Sequence, residues 1–255
     1  MKITIITAVY NAGNSIAATL KSVAQQDYGA IEHIVIDGAS TDRTLEAVRA
    51  NDERVTLLIS EADSGAYDAF NKGLRRATGD AIGFLNAGDT YVSPAVISKV
   101  AAELSTGTQA VFADVLIVDE HDETRVVRRY SSKRFAPHIM AYGLMPAHPT
   151  LFLRRAVYQA VGDYDTRFPI AGDYEMCLRV FVKRNTSYRY IPEALVRMPR
   201  GGLSNRGWRS KWQITREMRR ACELDGVSTN VAKLCLRFPY KALEMIGHRR
   251  AAPSL

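Results

Sequence analysis

Glu61, Asp63, Asp68, Asn71, Lys72 and Asp89 are side chains of the types that handle phosphate and divalent cations, and they fall within thirty residues of each other. They lie in two segments, SEADSGAYDAFNKG from Ser60 to Gly73 and FLNAGDTY from Phe84 to Tyr91. The second segment ends a hydrophobic run in a turn and sets Asp89 just beyond it. Parallel strands are buried runs of this kind, and open α/β sheets bind ligands beyond the carboxyl ends of their strands. A carboxylate there can hold Mg²⁺ or Mn²⁺ against a phosphate, because both ions prefer oxygen ligands. On a helix beginning near Ala66, Asp68, Asn71 and Lys72 stand at i, i+3 and i+4 and share a face. That face would meet a diphosphate, with Lys72 supplying positive charge. Asp63 is placed to cap the helix, and Glu61 reads equally as a ligand contact and as a loop residue. The combination points to a nucleoside-diphosphate site.

The elements that must position these residues alternate. Lys2–Val9 reads as a buried strand, with Ile3, Ile5 and Ile6 among β-favouring threonines. Asn14 or Ser15 can cap a helix to about Gln26. His33–Ile36 is a second strand closed by Asp37-Gly38, and Ser40-Thr41-Asp42 offers caps for a helix through Ala50. Val55–Ile59 and Asp80–Leu85 are further strands, and Pro94 stands near the start of another helix. This order implies an α/β fold with a mainly parallel sheet flanked by helices. After Gly107 the pattern changes. Strands are expected over Gln109–Val118, Arg125–Tyr130, within Met140–Arg155, and over Tyr188–Met198. Helices are expected over Val157–Val161, Ala171–Lys183, Arg206–Glu223 and Val231–His248. The division is a nucleotide half to about Gly107, an acceptor half to about Gly202, and a basic helical tail over 203–255.

At 255 residues the chain suits one large α/β domain with an appendage. Cys177, Cys222 and Cys235 form no CxxC pair, which fits a reducing cytoplasm, and Cys177 reads as core. The start MKITIITAVYN turns polar too early for a signal peptide, and no run reaches the roughly 20 apolar residues of a membrane span. A glycine triplet is missing from TAVYNAG, which argues against a dinucleotide fold, and Walker A is absent. The net charge of +7 is concentrated at one end: from Arg197 onward 13 Lys and Arg stand against 4 Asp and Glu. No nucleic-acid module accompanies that charge.

ITIITAVYNAGNSIAATLKSVAQQDY, IVIDGASTDRT, SEADSGAYDAFNKGLRRATGDAIGFLNAGD and AGDYEMCLR, in this order over about 2–202, resemble family 2 glycosyltransferases of the GT-A fold. The SEADSGAYDAFNKG form is similar to bacterial transferases of exopolysaccharide and surface-glycan synthesis. The resemblance implies inverting transfer from a nucleotide sugar, UDP being the commonest nucleotide, to a glycan or lipid-linked acceptor, with Mg²⁺ or Mn²⁺ as cofactor. It implies that Asp89 is the metal ligand, although the carboxylate many relatives carry one position earlier is Gly88 here. Asp37 would bind the base or ribose, with Gly38 in place of a second Asp; a plain Asx turn is the competing reading. Thr7, Val9 and Asn11 would line the same pocket through backbone and side chain, and Tyr10 would stack there or pack in the core. Asp173 would be the general base, with Glu175 the alternative and an N-cap role the competitor. His148, and Arg200 or Arg206 beside the Gly201-Gly202 pair, are secondary candidates, the glycines suiting a loop that closes on donor. A nucleotidyltransferase would need a Gly-rich, basic signature after the first strand, and a non-catalytic nucleotide-sugar binder would not need Asp173. Trp208, Trp212, Leu234, Leu236, Phe238 and Tyr240 are interleaved with Arg and Lys in the tail. That pattern suits peripheral binding to the anionic inner face of the cytoplasmic membrane; the alternative is a helical pair packed on the catalytic core.

Overall fold

The structure, a computed structural model, describes residues 1–120, 122, 124–201 and 207–240. β1 (Ile3–Val9) lies inside the sheet and is buried on both faces. Its threonines must therefore find partners within the protein. Thr4 donates to Glu32 Oε2 at 2.6 Å, and Thr7 Oγ1 lies 2.9 Å from His33 Nε2. On one side of β1 runs β2 (Ile31–Asp37), with β3 (Val55–Ser60) beyond it; on the other runs β4 (Ala81–Phe84). These four strands are parallel. Crossover helices α1 (Ile16–Ala24), α2 (Thr44–Arg49) and α3 (Ala66–Arg76) connect them. α3 approaches closely because Gly73 has no side chain: a Cβ there would stand 2.5 Å from Ile6 Cγ2.

The remaining elements are β5 (Thr90–Tyr91), α4 (Val96–Ser105), β6 (Ala110–Val118), β7 (Val126–Tyr130), β8 (Phe152–Arg154), α5 (Arg155–Val161), α6 (Gly172–Cys177), β9 (Tyr188–Pro199), α7 (Gly207–Leu224) and α8 (Val231–Cys235). One sheet runs through both halves in the order β3-β2-β1-β4-β8-β6-β9-β5, with β7 on β6. β8 joins the halves and is antiparallel to both β4 and β6. The expected parallel sheet is thus found in the nucleotide half, and the second half is mixed.

α6 continues as a wider π-helical segment over Leu178–Lys183, so the helix expected from 171 to 183 is present with a change of winding. The tail helices are part of the packed body. Met218, Ala221, Cys222 and Leu234 enter the same core as Tyr174 and Phe181. The Arg237 guanidinium is buried and donates to Leu234 O and Thr215 Oγ1 at 2.9 and 2.7 Å. The part of the second tail helix expected over 241–248 lies outside the described residues. Among the described residues no helix is long and apolar enough to cross a membrane.

Candidate active site

The turn after β4 is built around Thr19 of α1. Its hydroxyl donates to Asp89 O at 2.8 Å and accepts Gly88 N–H at 2.9 Å. Gly88 has φ +97°, a left-handed backbone that a side chain strains. The single carboxylate of this turn therefore follows from its geometry. Asp89 is buried, and its carboxyl receives no hydrogen bond or ion pair among the described residues. Burial alone pushes it up to about 8. Neither oxygen is engaged by a described residue, and both keep enough surface for a cation to reach them.

Among the described residues no group of three or more His, Cys, Asp or Glu could hold a metal ion. Mg²⁺ fits such a place nonetheless, because it takes one or two carboxylates and completes its shell with water and substrate phosphate. Asp89 suits that arrangement.

At the end of β2, Asp37 is fully buried. Its Oδ2 accepts Ser40 N–H at 3.1 Å and Ser60 Oγ–H at 2.7 Å, which fastens the turn after β2 to the end of β3. Its Oδ1 is buried with no partner among the described residues. Asp63 adds a second carboxylate here: a Cβ on Gly38 would lie 2.5 Å from Asp63 Oδ2. Asp63 Oδ1 also accepts Gly65 N–H at 2.9 Å at the entrance to α3. Tyr10 is 63% exposed, which removes the core reading.

The side chains of the other residues expected at this end are engaged within the protein. Thr7 is fully buried against His33, and Val9 packs on Ile16, Leu20, Val35 and Val48. Asn11 Oδ1 accepts Thr41 N–H at 2.9 Å, so its side chain fastens the 40–41 turn. Each serves the frame of the crevice by its side chain.

The α3 face is likewise turned to the protein. Asp68 Oδ2 accepts Ser64 N–H at 3.0 Å. Asn71 is buried and bonds both the N–H and the C=O of Tyr164 at 2.8 Å. Lys72 Nζ donates to Ala62 O at 2.6 Å and pairs with Glu61 at 3.1 Å.

Asp173 stands in the first turn of α6, whose N-cap is Ala171, and makes no capping bond. Its Oδ1 accepts Tyr174 N–H at 2.7 Å and lies 3.3 Å from Tyr67 Oη. Its Oδ2 has no protein partner among the described residues, so one carboxylate oxygen is held and the other is not. Glu175 is engaged differently: it is buried in a two-bond pair with Arg179, both at 2.7 Å. Arg179 in turn donates to the carbonyls of Val161 and Asp163. Burial pushes Glu175 up against the opposing pull of Arg179. His148 is buried 2.9 Å from Tyr164 Oη and stacks on both Phe70 and Phe84, whose rings also touch each other. Burial pushes its imidazole down, against the pull of the Asp173 charge. It is a packed aromatic neighbour of the site. Arg200 is exposed, its N–H on Val118 O; Gly202 and Arg206 lie outside the described residues.

Sequence reasoning missed two residues beside Asp173. Tyr67 reaches it from α3, and Glu217 Oε2 on α7 accepts the N–H groups of Ile170 and Ala171 at 3.0 and 2.8 Å. Tyr67 stood inside the quoted motif and could have been singled out; Glu217 had no such signal.

Residues 4–162 match the model of the family described as "Glycosyl transferase family 2". The "Uncharacterized glycosyltransferase Rv1514c" of Mycobacterium tuberculosis is 33% identical over 183 residues, which is 69% of this chain and 68% of that protein. The "PGL/p-HBAD biosynthesis glycosyltransferase Rv2957" of the same organism is 28% identical over 207 residues, 79% of this chain and 78% of that one. Among solved structures, S. aureus TarS 1-349 in complex with UDP-GlcNAc aligns with a TM-score of 0.63 at 18% identity, covering 92% of this chain and 70% of that chain. The mannosyltransferase PcManGT from Pyrobaculum calidifontis, in complex with GDP-Man and Mn²⁺, aligns at 0.64 and 19% identity, covering 100% and 76%.

Proposed function

The chain belongs to glycosyltransferase family 2, and on that premise we propose that it is an inverting, metal-assisted enzyme taking a UDP-sugar as donor. The acceptor is a hydroxyl of a glycan or lipid-linked glycan in bacterial surface-polysaccharide assembly. The observation that carries this reading is the contrast of two carboxylates: Asp89 buried without a partner, and Asp173 held by one oxygen with the other free. Residues 1–107 bind the nucleotide sugar, 108–202 meet the acceptor, and 203–255 form the basic helical tail. The nucleotide sugars held by the TarS and PcManGT structures support a nucleotide-sugar donor, and the Mn²⁺ of the second supports a divalent metal.

The acceptor oxygen forms a bond to the anomeric carbon as the bond from that carbon to the diphosphate oxygen breaks. The electron pair leaves on the diphosphate, and the acceptor proton passes to Asp173 Oδ2. Asp89 would hold Mg²⁺ or Mn²⁺, which supplies stabilisation of charge on the departing diphosphate. Asp37 Oδ1 accepts a donor hydrogen of the nucleoside, and Tyr10 covers its base.

The tail presents the enzyme to the anionic inner surface of the membrane. Trp208, Trp212, Leu236 and Phe238 are 75, 51, 54 and 38% exposed beside Arg209, Lys211 and Lys233. Three of them, with Lys211, Thr215 and Cys235, line a cavity of about 310 Å³. Aromatics favour the interface, and each basic residue near an anionic surface contributes roughly 1 kcal/mol. Sedimentation with anionic liposomes should be salt-sensitive and weakened in a Trp208→Ser/Trp212→Ser variant. Equal behaviour with neutral lipid removes this part of the reading.

The transferase reading is tested with a panel of UDP-, dTDP- and GDP-sugars in Mn²⁺ or Mg²⁺, followed by thermal shift, sugar transfer and the anomeric configuration of the product by NMR. A UDP-sugar should give the largest shift and an inverted product. A thermal shift with no transfer to any acceptor would favour a non-catalytic binder instead.

A further inference from the structure

Tyr67 is the second residue of α3, on the donor side of the molecule, yet its hydroxyl reaches the turn that carries Asp173. It lies 2.8 Å from Ile170 O and 3.3 Å from Asp173 Oδ1. The ring lies flat on Gly172, where a Cβ would stand 2.8 Å from two ring carbons, so any side chain at 172 would lever the ring away. Tyr67 stacks on Tyr164 at 5.6 Å and 16°, and meets Phe70 edge-on at 5.7 Å and 80°. Tyr164 is itself fastened through its peptide by Asn71 and through its hydroxyl by His148. From the opposite side, Glu217 holds the N–H groups of Ile170 and Ala171.

The ring accounts for the packing, and a phenylalanine would fill the same place. The hydroxyl is the part the core does not need, and its one proton is shared within the Ile170–Asp173 turn, closer to Ile170 O than to Asp173 Oδ1. We propose that Tyr67 is a positioning residue for transfer. Its hydroxyl restrains the 170–173 turn and Asp173 Oδ1, so that Oδ2 faces the acceptor in one orientation. Because Tyr67 belongs to the helix that follows the SEADSG loop, the same contact ties the placement of the base to the donor half. Displacements of an ångström in a reacting group are enough to lower rates strongly.

This inference rests on Asp173 being the base, and a double-mutant cycle separates the two. Wild type, Tyr67→Phe, Asp173→Asn and the double variant are compared for kcat, for the KM of donor and acceptor, for donor binding by calorimetry and for thermal melting. In the wild-type background Tyr67→Phe should lower kcat about tenfold, with donor binding and both KM values nearly unchanged. In the Asp173→Asn background it should lower kcat no further, because residues that act as a unit are not additive. If Tyr67→Phe does not fold, Gly172→Ala, which displaces the ring and keeps the hydroxyl, is placed in the same cycle. An equal loss in both backgrounds, or none in wild type, overturns the positioning role and leaves Asp173 in place. Full transfer by Asp173→Asn alone overturns the base assignment and the positioning role with it.

Discussion

β2 carries a carboxylate near each end, and the two are treated in opposite ways. Glu32, at its start, accepts from Lys2, Thr4 and Thr78, so both oxygens are satisfied by protein. Burial pushes it up, but those hydrogen bonds outweigh burial and bring it down to about 2. Asp37, at the other end, has one oxygen without a partner, and Asp89 beyond β4, on the far side of β1, has no side-chain partner among the described residues. At Asp89 burial is unopposed. The closed end of the sheet holds the strands together, and the carboxyl end leaves acceptors for something the protein does not itself supply.

The comparison can be broken most severely at Asp89. Asp89→Ala should abolish metal-dependent transfer, and wild type in excess EDTA should match it; full activity in either would remove the metal assignment. The pH response has a definite sign. The folded carboxyl ionises near 8 and the unfolded one near 4, so burial destabilises the metal-free protein increasingly as pH rises across that window. In EDTA, Asp89→Asn should therefore be the more stable protein by urea melts at pH 8, and match wild type near pH 4.

Next in size is Asp173→Asn, which should lower transfer at least about 100-fold while leaving donor affinity nearly intact. If it is active and Glu175→Gln is dead, the carboxylates have been exchanged. Asp37→Asn should weaken donor binding about tenfold, roughly 1.4 kcal/mol, as read by calorimetry. An unchanged affinity would return Asp37 to a plain turn residue. Glu32→Gln should leave kcat alone and reduce stability by about 2 kcal/mol at pH 7. Because the folded group is depressed, that difference is complete above about pH 4.5 and fades as pH falls toward 2. A loss of donor binding in this variant would contradict the division of the sheet into a supporting and a binding end.

The strands and their ends were legible in the sequence because buried runs stop at turns, as β1, β2 and β4 do before Asn11, Asp37 and Asn86. Asp37 and Asp89 stand at such ends, whereas Asp173 stands in the first turn of α6. The α3 face was legible as a face, but its partners were not: Asn71 bonds Tyr164, 93 residues away. The family resemblance places Thr7 and Val9 at the pocket, while their side chains are buried in a strand inside the sheet. β5 was invisible because two residues carry no period; β9 supplies its pairing. Tyr67 and Glu217 meet the 170–173 turn only through tertiary packing.

The approach of Asp63 to Gly38 sets a limit on sequence drift. A side chain at 38 would enter the space of Asp63 Oδ2, 2.5 Å from the new Cβ. Positions 38 and 63 therefore share room for one acidic group, delivered either by the strand end or by the loop before α3. Substitutions at the two sites should be traded as a pair: Gly38→Asp alone crowds two like charges, whereas Gly38→Asp with Asp63→Gly moves the acidic group back to the strand end.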